Sequence, residues 1–270
     1  VLDDVDKIRQ IENLAGGSDW FGPGSRIIIT TRDQGLLMAM GTYPIEVIKT
    51  YGMTELNEQL SLELFCRNAF GKSNPETGFE AVSSRAVGYA KGLPLALKVT
   101  GSNLRTRKSL KAWEDALKDY ERIPRKEIQN VLKVSYDVLE PHAQSVFLDI
   151  ACFFKGKSIK YVEEILEKFS AASNIVELAN KSLVNVDDGY LNMHDLIQHM
   201  GREIVRQEAP NNPAQRSRLW HHQDVIDVLS ANDFVRIKSS GSDAIQGLML
   251  VPPQHITEVD WNDTAFEKMN

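Results

Sequence analysis

The sequence predicts a mainly α protein that opens on a truncated parallel α/β part. Three observations carry this. Residues 1–56 alternate apolar, strand-like runs with short helical ones. From Asn57 onward, apolar residues recur at three- and four-residue steps through one segment after another, the period of a half-buried helix. Among those helices lies one short hairpin signal, with Asp188-Gly189 as its turn.

VLDD reads as a strand, and VDKIRQIENLAGG as a helix ending on glycines, as helix C-termini do. SRIIITT is a second strand. No polar residue alternates through IIIT, so it is expected to be buried on both faces. DQGLLMAM is a short helix and YPIEVIK a third strand. Strand–helix–strand at this spacing implies a parallel sheet, and two or three strands are too few to complete one. Residues 57–122 predict a four-helix unit: NEQLSLELFCRNAF, FEAVSSRAVGYAKG, PLALKVTGSNLRT and SLKAWEDALKDYER.

Residues 123–210 predict a second block. KEIQNVLKVSYDVL comes first, then PHAQSVFLDIACFF, with Pro141 suited to a first helical turn. KYVEEILEKF and NIVELANKSLV follow, then the hairpin SLVNVDDGYLNM and the helix HDLIQHMGREIVRQEA. Helices followed by a hairpin beside a helix outline a winged-helix domain. EAPNNPAQRSR is a polar loop. LWHHQDVIDVLSAN reads as a helix, and AIQGLML and HITEVDW as strands either side of Pro252-Pro253. Both chain ends read as arbitrary, which suggests a fragment.

Composition excludes several classes. The chain is 42% hydrophobic and 25% charged, enough to bury a core. A net charge of −6 argues against binding nucleic acid by bulk electrostatics. No apolar run reaches the length of a membrane span, and the N-terminus has no basic stretch followed by an apolar one, so no signal peptide is expected. Cys66 and Cys152 sit in apolar helical patterns and read as reduced core thiols of a cytosolic protein.

Some residues have both a structural and a chemical reading. Asp3 and Asp4 end a strand; they could cap the next helix. They could also form a Walker B pair, one acid holding Mg²⁺ over nucleotide phosphates and the next handling the attacking water. Arg32 lies past the second strand on the same rim, as a surface arginine or as a guanidinium reaching a terminal phosphate. Gly92 and Pro94 in GLPL suit a helix cap and a helix start. In MHD, Asp195 suits a helix first turn, and His194 could donate to a phosphate there. A phosphate-binding loop is not found: GKS at Gly71 and at Gly156 lacks the upstream glycine and follows helices. His194 and His199 have no zinc-site spacing.

VLDDVD, GSRIIITTR, GLPL, FLDIACFF and MHD occur in this order between residues 1 and 195. Together they resemble the nucleotide-binding (NB-ARC) region of plant nucleotide-binding leucine-rich-repeat immune receptors. Asp6 and FLDIACFF resemble the subclass that carries an N-terminal Toll/interleukin-1-receptor (TIR) domain. RLWHHQDVIDVL and AIQGLML look like that subclass's approach to its repeats.

The resemblance implies a partial P-loop NTPase sheet in 1–56, a helical ARC1-like domain in 57–122 and a winged-helix ARC2-like domain in 123–210. A linker and the start of leucine-rich repeats would fill 211–270. It implies ADP/ATP and Mg²⁺ as cofactors in the intact parent, with Asp3 as the metal acid and Asp4 as the catalytic one. Arg32 would be the phosphate sensor, Pro94 the adenine contact, His194 the β-phosphate contact, and Asp195 the lock of the resting winged helix. Its partners would be the parent's own TIR and repeat domains and further copies in an activated oligomer. The parent would be a slow ATPase of the STAND type, with an NAD-cleaving TIR domain upstream, in the cytoplasm or nucleus. The fragment itself is expected to be inactive. The alternatives are a helical adaptor and a DNA-binding winged helix that needs no nucleotide.

Overall fold

The computed structural model describes the chain except residues 18–19, 41–48, 123–124, 167–170, 231–243 and 251–270. The expected strand YPIEVIK therefore lies almost wholly outside the described residues, as do HITEVDW and the final AFEKMN. The chain is mainly helical, with four short strands among the described residues. It divides into two compact units. The first is Val1–Leu139 with Ala172–Asn185, the second Glu140–Ala171 with Val186–Asn270, so the division runs through the stretch 123–210.

The first unit opens on a short parallel pairing of Leu2 with Ile29. Leu2 N–H donates to the Ile28 carbonyl at 2.8 Å, and Thr30 N–H to that of Leu2 at 2.9 Å. Helices α1 (Ile8–Ala15) and α2 (Gln34–Met40) flank it. Val5 and Ile11 are buried there, with Leu2, Ile8, Ile29, Leu36 and Leu37 packed around them. The expected two-sided burial of IIIT is not found: Ile27 is 40% and Ile28 57% exposed. Ile29 alone joins this cluster, because among the described residues a single neighbour pairs with this stretch and nothing lies over its other face.

Helices α3 (Glu58–Phe70), α4 (Glu80–Ala90), α5 (Pro94–Arg105) and α6 (Leu110–Arg122) lie at the four positions where helices were expected, within the larger first unit. Asn57 caps α3 by accepting from Leu60 N–H. Gly71 closes it at φ +75°, so the first GKS is a helix cap. Gly92 stands at φ +77°, and a Cβ there would lie 2.6 Å from the Leu56 carbonyl oxygen. Trp113, 2% exposed, stacks on Phe70 and meets Phe65 and Phe79 edge-on. Helix α7 (Lys126–Asp137) and most of α10 (Ala171–Asn180) belong to this unit as well.

Helices α3 and α5 meet closely at Gly101, where a Cβ would sit 2.9 Å from both Asn68 Cβ and the Phe65 carbonyl oxygen. Gly101→Val should therefore lower stability by about 1–3 kcal/mol through overpacking. An unchanged urea midpoint would show that the two helices have room to part.

In the second unit, α8 (Pro141–Asp149) runs into a π-helical turn, Ile150–Phe154. Phe147, Ile150, Cys152 and Phe154 are buried. Helices α9 (Ile159–Leu166) and α11 (Asp195–Glu208) complete the helical part. Gly201 of α11 lets it approach the turn, since a Cβ there would lie 2.7 Å from Ala151 Cβ. The Ala151 carbonyl, left over at the helix end, accepts from Gln198 Nε2 at 3.0 Å and Arg202 Nε at 3.1 Å.

The hairpin pairs β1 (Asn185–Asp187) with β2 (Tyr190–Asn192). Asp188 at φ +50° and Gly189 at φ +81° give the two positive angles of a type I′ turn. Further on, β3 (Arg218–Leu219) pairs in parallel with β4 (Gly247–Leu248), beside α12 (His222–Ser230). Leu219, Val225, Leu229 and Ile245 form a small core there. Both cysteines are free and buried, and burial pushes their thiols up to about 11 for Cys66 and about 12 for Cys152. That suits the reduced, inert reading.

Candidate functional site

The pairing of Leu2 with Ile29 brings the ends of VLDD and IIITTRD to one rim. Thr30 organises that rim. Its hydroxyl accepts from Asp4 N–H at 2.8 Å and donates to Asp3 Oδ1. Asp4 takes the left-handed conformation, φ +53°, which a short polar side chain tolerates. Its carboxylate meets Arg32 as a two-pronged pair, Nε to Oδ1 at 2.9 Å and Nη2 to Oδ2 at 3.0 Å. Both side chains are about half exposed, so the pair is worth at most about 1 kcal/mol and is easily exchanged for another anion.

Asp33 continues the rim. Its Oδ1 accepts from Gly35 N–H at 2.9 Å, at the start of α2, and its Oδ2 from Lys181 Nζ at 2.6 Å. Ser182 Oγ donates to the Arg32 carbonyl at 3.3 Å. Asp4, Asp6, Arg32, Asp33, Val134 and Lys181 line an open cleft of about 70 Å³.

Pro94 is exposed at the first position of α5, in the first unit. His194 and Asp195 belong to the second unit. His194 is the N-cap of α11, and its Nδ1 accepts from Leu196 N–H at 3.1 Å. With Nδ1 accepting, Nε2 is the ring nitrogen placed to donate. Asp195 lies in the first turn of α11 and forms an ion pair with Lys155, which caps the π turn. His199, half-buried on the same helix, is held below the usual histidine range by burial first and by Arg202 second.

The structure thus joins Asp3, Asp4 and Arg32 at one place. Thr30, Lys181 and Lys155 escaped the sequence reading. A threonine directly after the apolar run Ile27-Ile28-Ile29 was a usable signal for Thr30. Lys181 had none, since it lies 148 residues from Asp33. Among the described residues no group of three or more histidines, cysteines or acids could hold a metal. Two carboxylates suit Mg²⁺ only if phosphate oxygens and water supply its other ligands.

Residues 140–209 match the family model described as the winged-helix domain of Roq1-like disease resistance proteins. The chain is 42% identical over 238 residues to disease resistance protein RPV1 of Vitis rotundifolia, covering 87% of this chain and 17% of that protein. It is 45% identical over 236 residues to TMV resistance protein N of Nicotiana glutinosa, 86% of this chain and 20% of that protein. It is 38% identical over 252 residues to disease resistance protein RPP2B of Arabidopsis thaliana, 93% of this chain and 20% of that protein. These homologues are plant TIR-type disease-resistance proteins. The chain spans about one fifth of the length of those relatives. The winged-helix match begins one residue before α8 and ends one residue after α11. No described helix is long and apolar enough to cross a membrane.

Proposed function

We propose that this chain carries part of an ADP/ATP switch within an immune receptor. The observation that supports this is the shared rim: two adjacent carboxylates and a guanidinium stand beyond paired parallel strands, where ligands of α/β sheets sit. Asp3 is the group for Mg²⁺ and Asp4 the group facing the attacking water. Arg32 leaves Asp4 for the terminal phosphate. The bound metal would neutralise phosphate charge, while this chain's residues orient it. Pro94 offers an apolar contact to the base. His194 Nε2–H is the donor to a phosphate, and Asp195 with Lys155 sets its helix.

The parent acts in plant defence, in the cytoplasm or nucleus, and works with its own TIR and repeat domains and with further copies. DNA binding is the poorer reading: the wing of the hairpin ends in two exposed acids, Asp187 and Asp188.

Phosphate binding in such sheets draws on loop N–H groups, a lysine and Mg²⁺ together. The contacts named here are one apolar contact and a few hydrogen bonds, each worth about 0.5–1.5 kcal/mol net. Even millimolar affinity needs about 4 kcal/mol. Residues 1–270 alone are therefore expected to bind ADP no better than about millimolar, and joining a phosphate-loop segment ahead of Val1 should restore binding. Calorimetry that finds micromolar ADP affinity for the bare chain, or none for the extended one, overturns this reading.

A further inference from the structure

We propose that Lys181 and Ser182 are positioning residues for Arg32. They clamp the loop that carries it and so keep its guanidinium folded back on Asp4. The consequence for phosphate binding rests on the reading of Arg32 given above; the clamp itself does not.

Two contacts reach the loop from the end of α10, and a third ties the loop to α2. Lys181 Nζ donates to Asp33 Oδ2 at 2.6 Å, with the two side chains only 26% and 19% exposed. Ser182 Oγ donates to the carbonyl of Arg32 itself. Asp33 Oδ1 meanwhile accepts from Gly35 N–H, so one carboxylate ties the lysine to the start of α2. Ser182 adopts φ +57°, a conformation that costs a non-glycine residue energy and persists only where surroundings hold it.

The chain positions add meaning. Lys181 and Ser182 lie inside the winged-helix match, 140–209, yet they pack with the first unit. Arg32 thus sits between two restraints: Asp4 holds its side chain, and a winged-helix segment holds its backbone. Removing the second restraint lets the loop open, and Arg32 spends more time away from Asp4. A segment far along the chain therefore sets how available the guanidinium is to any anion. The half-buried Lys181–Asp33 pair is stronger than the more exposed Arg32–Asp4 pair, because screening by water weakens the latter. The clamp, not the carboxylate, is the dominant restraint.

The test is phenylglyoxal labelling of arginines in the 270-residue chain, read by peptide mass spectrometry. Arg85 is the internal reference, since it is similarly exposed and paired to Glu121 in the same unit. Lys181→Met should raise the labelling rate of Arg32 relative to Arg85 by about three- to five-fold, the release of one such pair. Lys181→Arg, which keeps the charge and the donor, should restore the parent rate. Merely structural damage would raise Arg85 as well. In that event Asp33→Asn decides, because it keeps an acceptor for Gly35 and loses the charge that Lys181 seeks. An unchanged Arg32 rate in Lys181→Met or in Asp33→Asn overturns the proposal, and so does a Lys181→Arg chain that labels like Lys181→Met. No nucleotide enters the assay, so a failed clamp and a failed ADP titration are separate results.

Discussion

Replacing Arg218 with Met is expected to destabilise the second unit by about 3–5 kcal/mol near neutral pH. Arg218 is 3% exposed. Its Nε donates to Asp149 Oδ1 at 2.6 Å, and its Nη2 to the Ser145 carbonyl and hydroxyl at 3.1 and 2.7 Å. Nη1 donates to Ser217 Oγ at 3.0 Å. Without the guanidinium, Asp149 is a largely buried carboxylate with its main partner gone. Burial already holds its carboxyl above the ordinary value, with Arg218 pulling the other way.

The sign of the pH dependence follows. A carboxyl raised in the folded state binds more protons there than in the unfolded chain, so stability falls as pH rises through the gap between the two values. Removing Arg218 widens that gap upward. The loss in Arg218→Met should be small near about pH 4 and grow toward about pH 7. Urea unfolding of parent and variant at both pH values measures it. Equal differences at the two would show that Asp149 reaches water.

Phe147→Ala is the second large effect. Phe147 is fully buried, and its ring edge lies where a side chain on Gly201 would otherwise go. Truncation leaves a cavity that neither α8 nor the close-packed α11 can fill. A loss of about 3–5 kcal/mol is expected, a large share of a domain's typical stability. A soluble variant with the parent's melting point would mean the helix turns this face outward.

The helices were legible because each carries its own period and its own punctuation. Asn57, Gly71, Pro94 and Pro141 mark helix ends by local chemistry alone, and Asp188-Gly189 names its turn. The acids and Arg32 were legible as motif residues. Their pairing was not, since it depends on a parallel register set 26 to 28 residues apart. IIIT misled because an apolar run reports what a strand wants to bury, and the exposure of Ile27 and Ile28 depends on what lies beside them. Arg216 and Arg218 lie in EAPNNPAQRSR, which reads as a polar loop. Only tertiary neighbours reveal Arg216 as buried, bonded to the Ala209 and Pro210 carbonyls and to Asp224.

The π turn at Ile150–Phe154 has a consequence for insertions and deletions. It makes room for one residue beyond the α-helical count, and each residue turns a helix by about 100°. The phase shift lets one short segment address two neighbours: Phe147 and Ala151 lie against Gly201, while Phe153 lies against Gly247. Deleting a single residue here would yield a more regular helix and a worse protein, because it would swing one of those two contacts out of line. Point substitutions in FLDIACFF trade volume for volume, whereas a change of length resets the phase of everything after it.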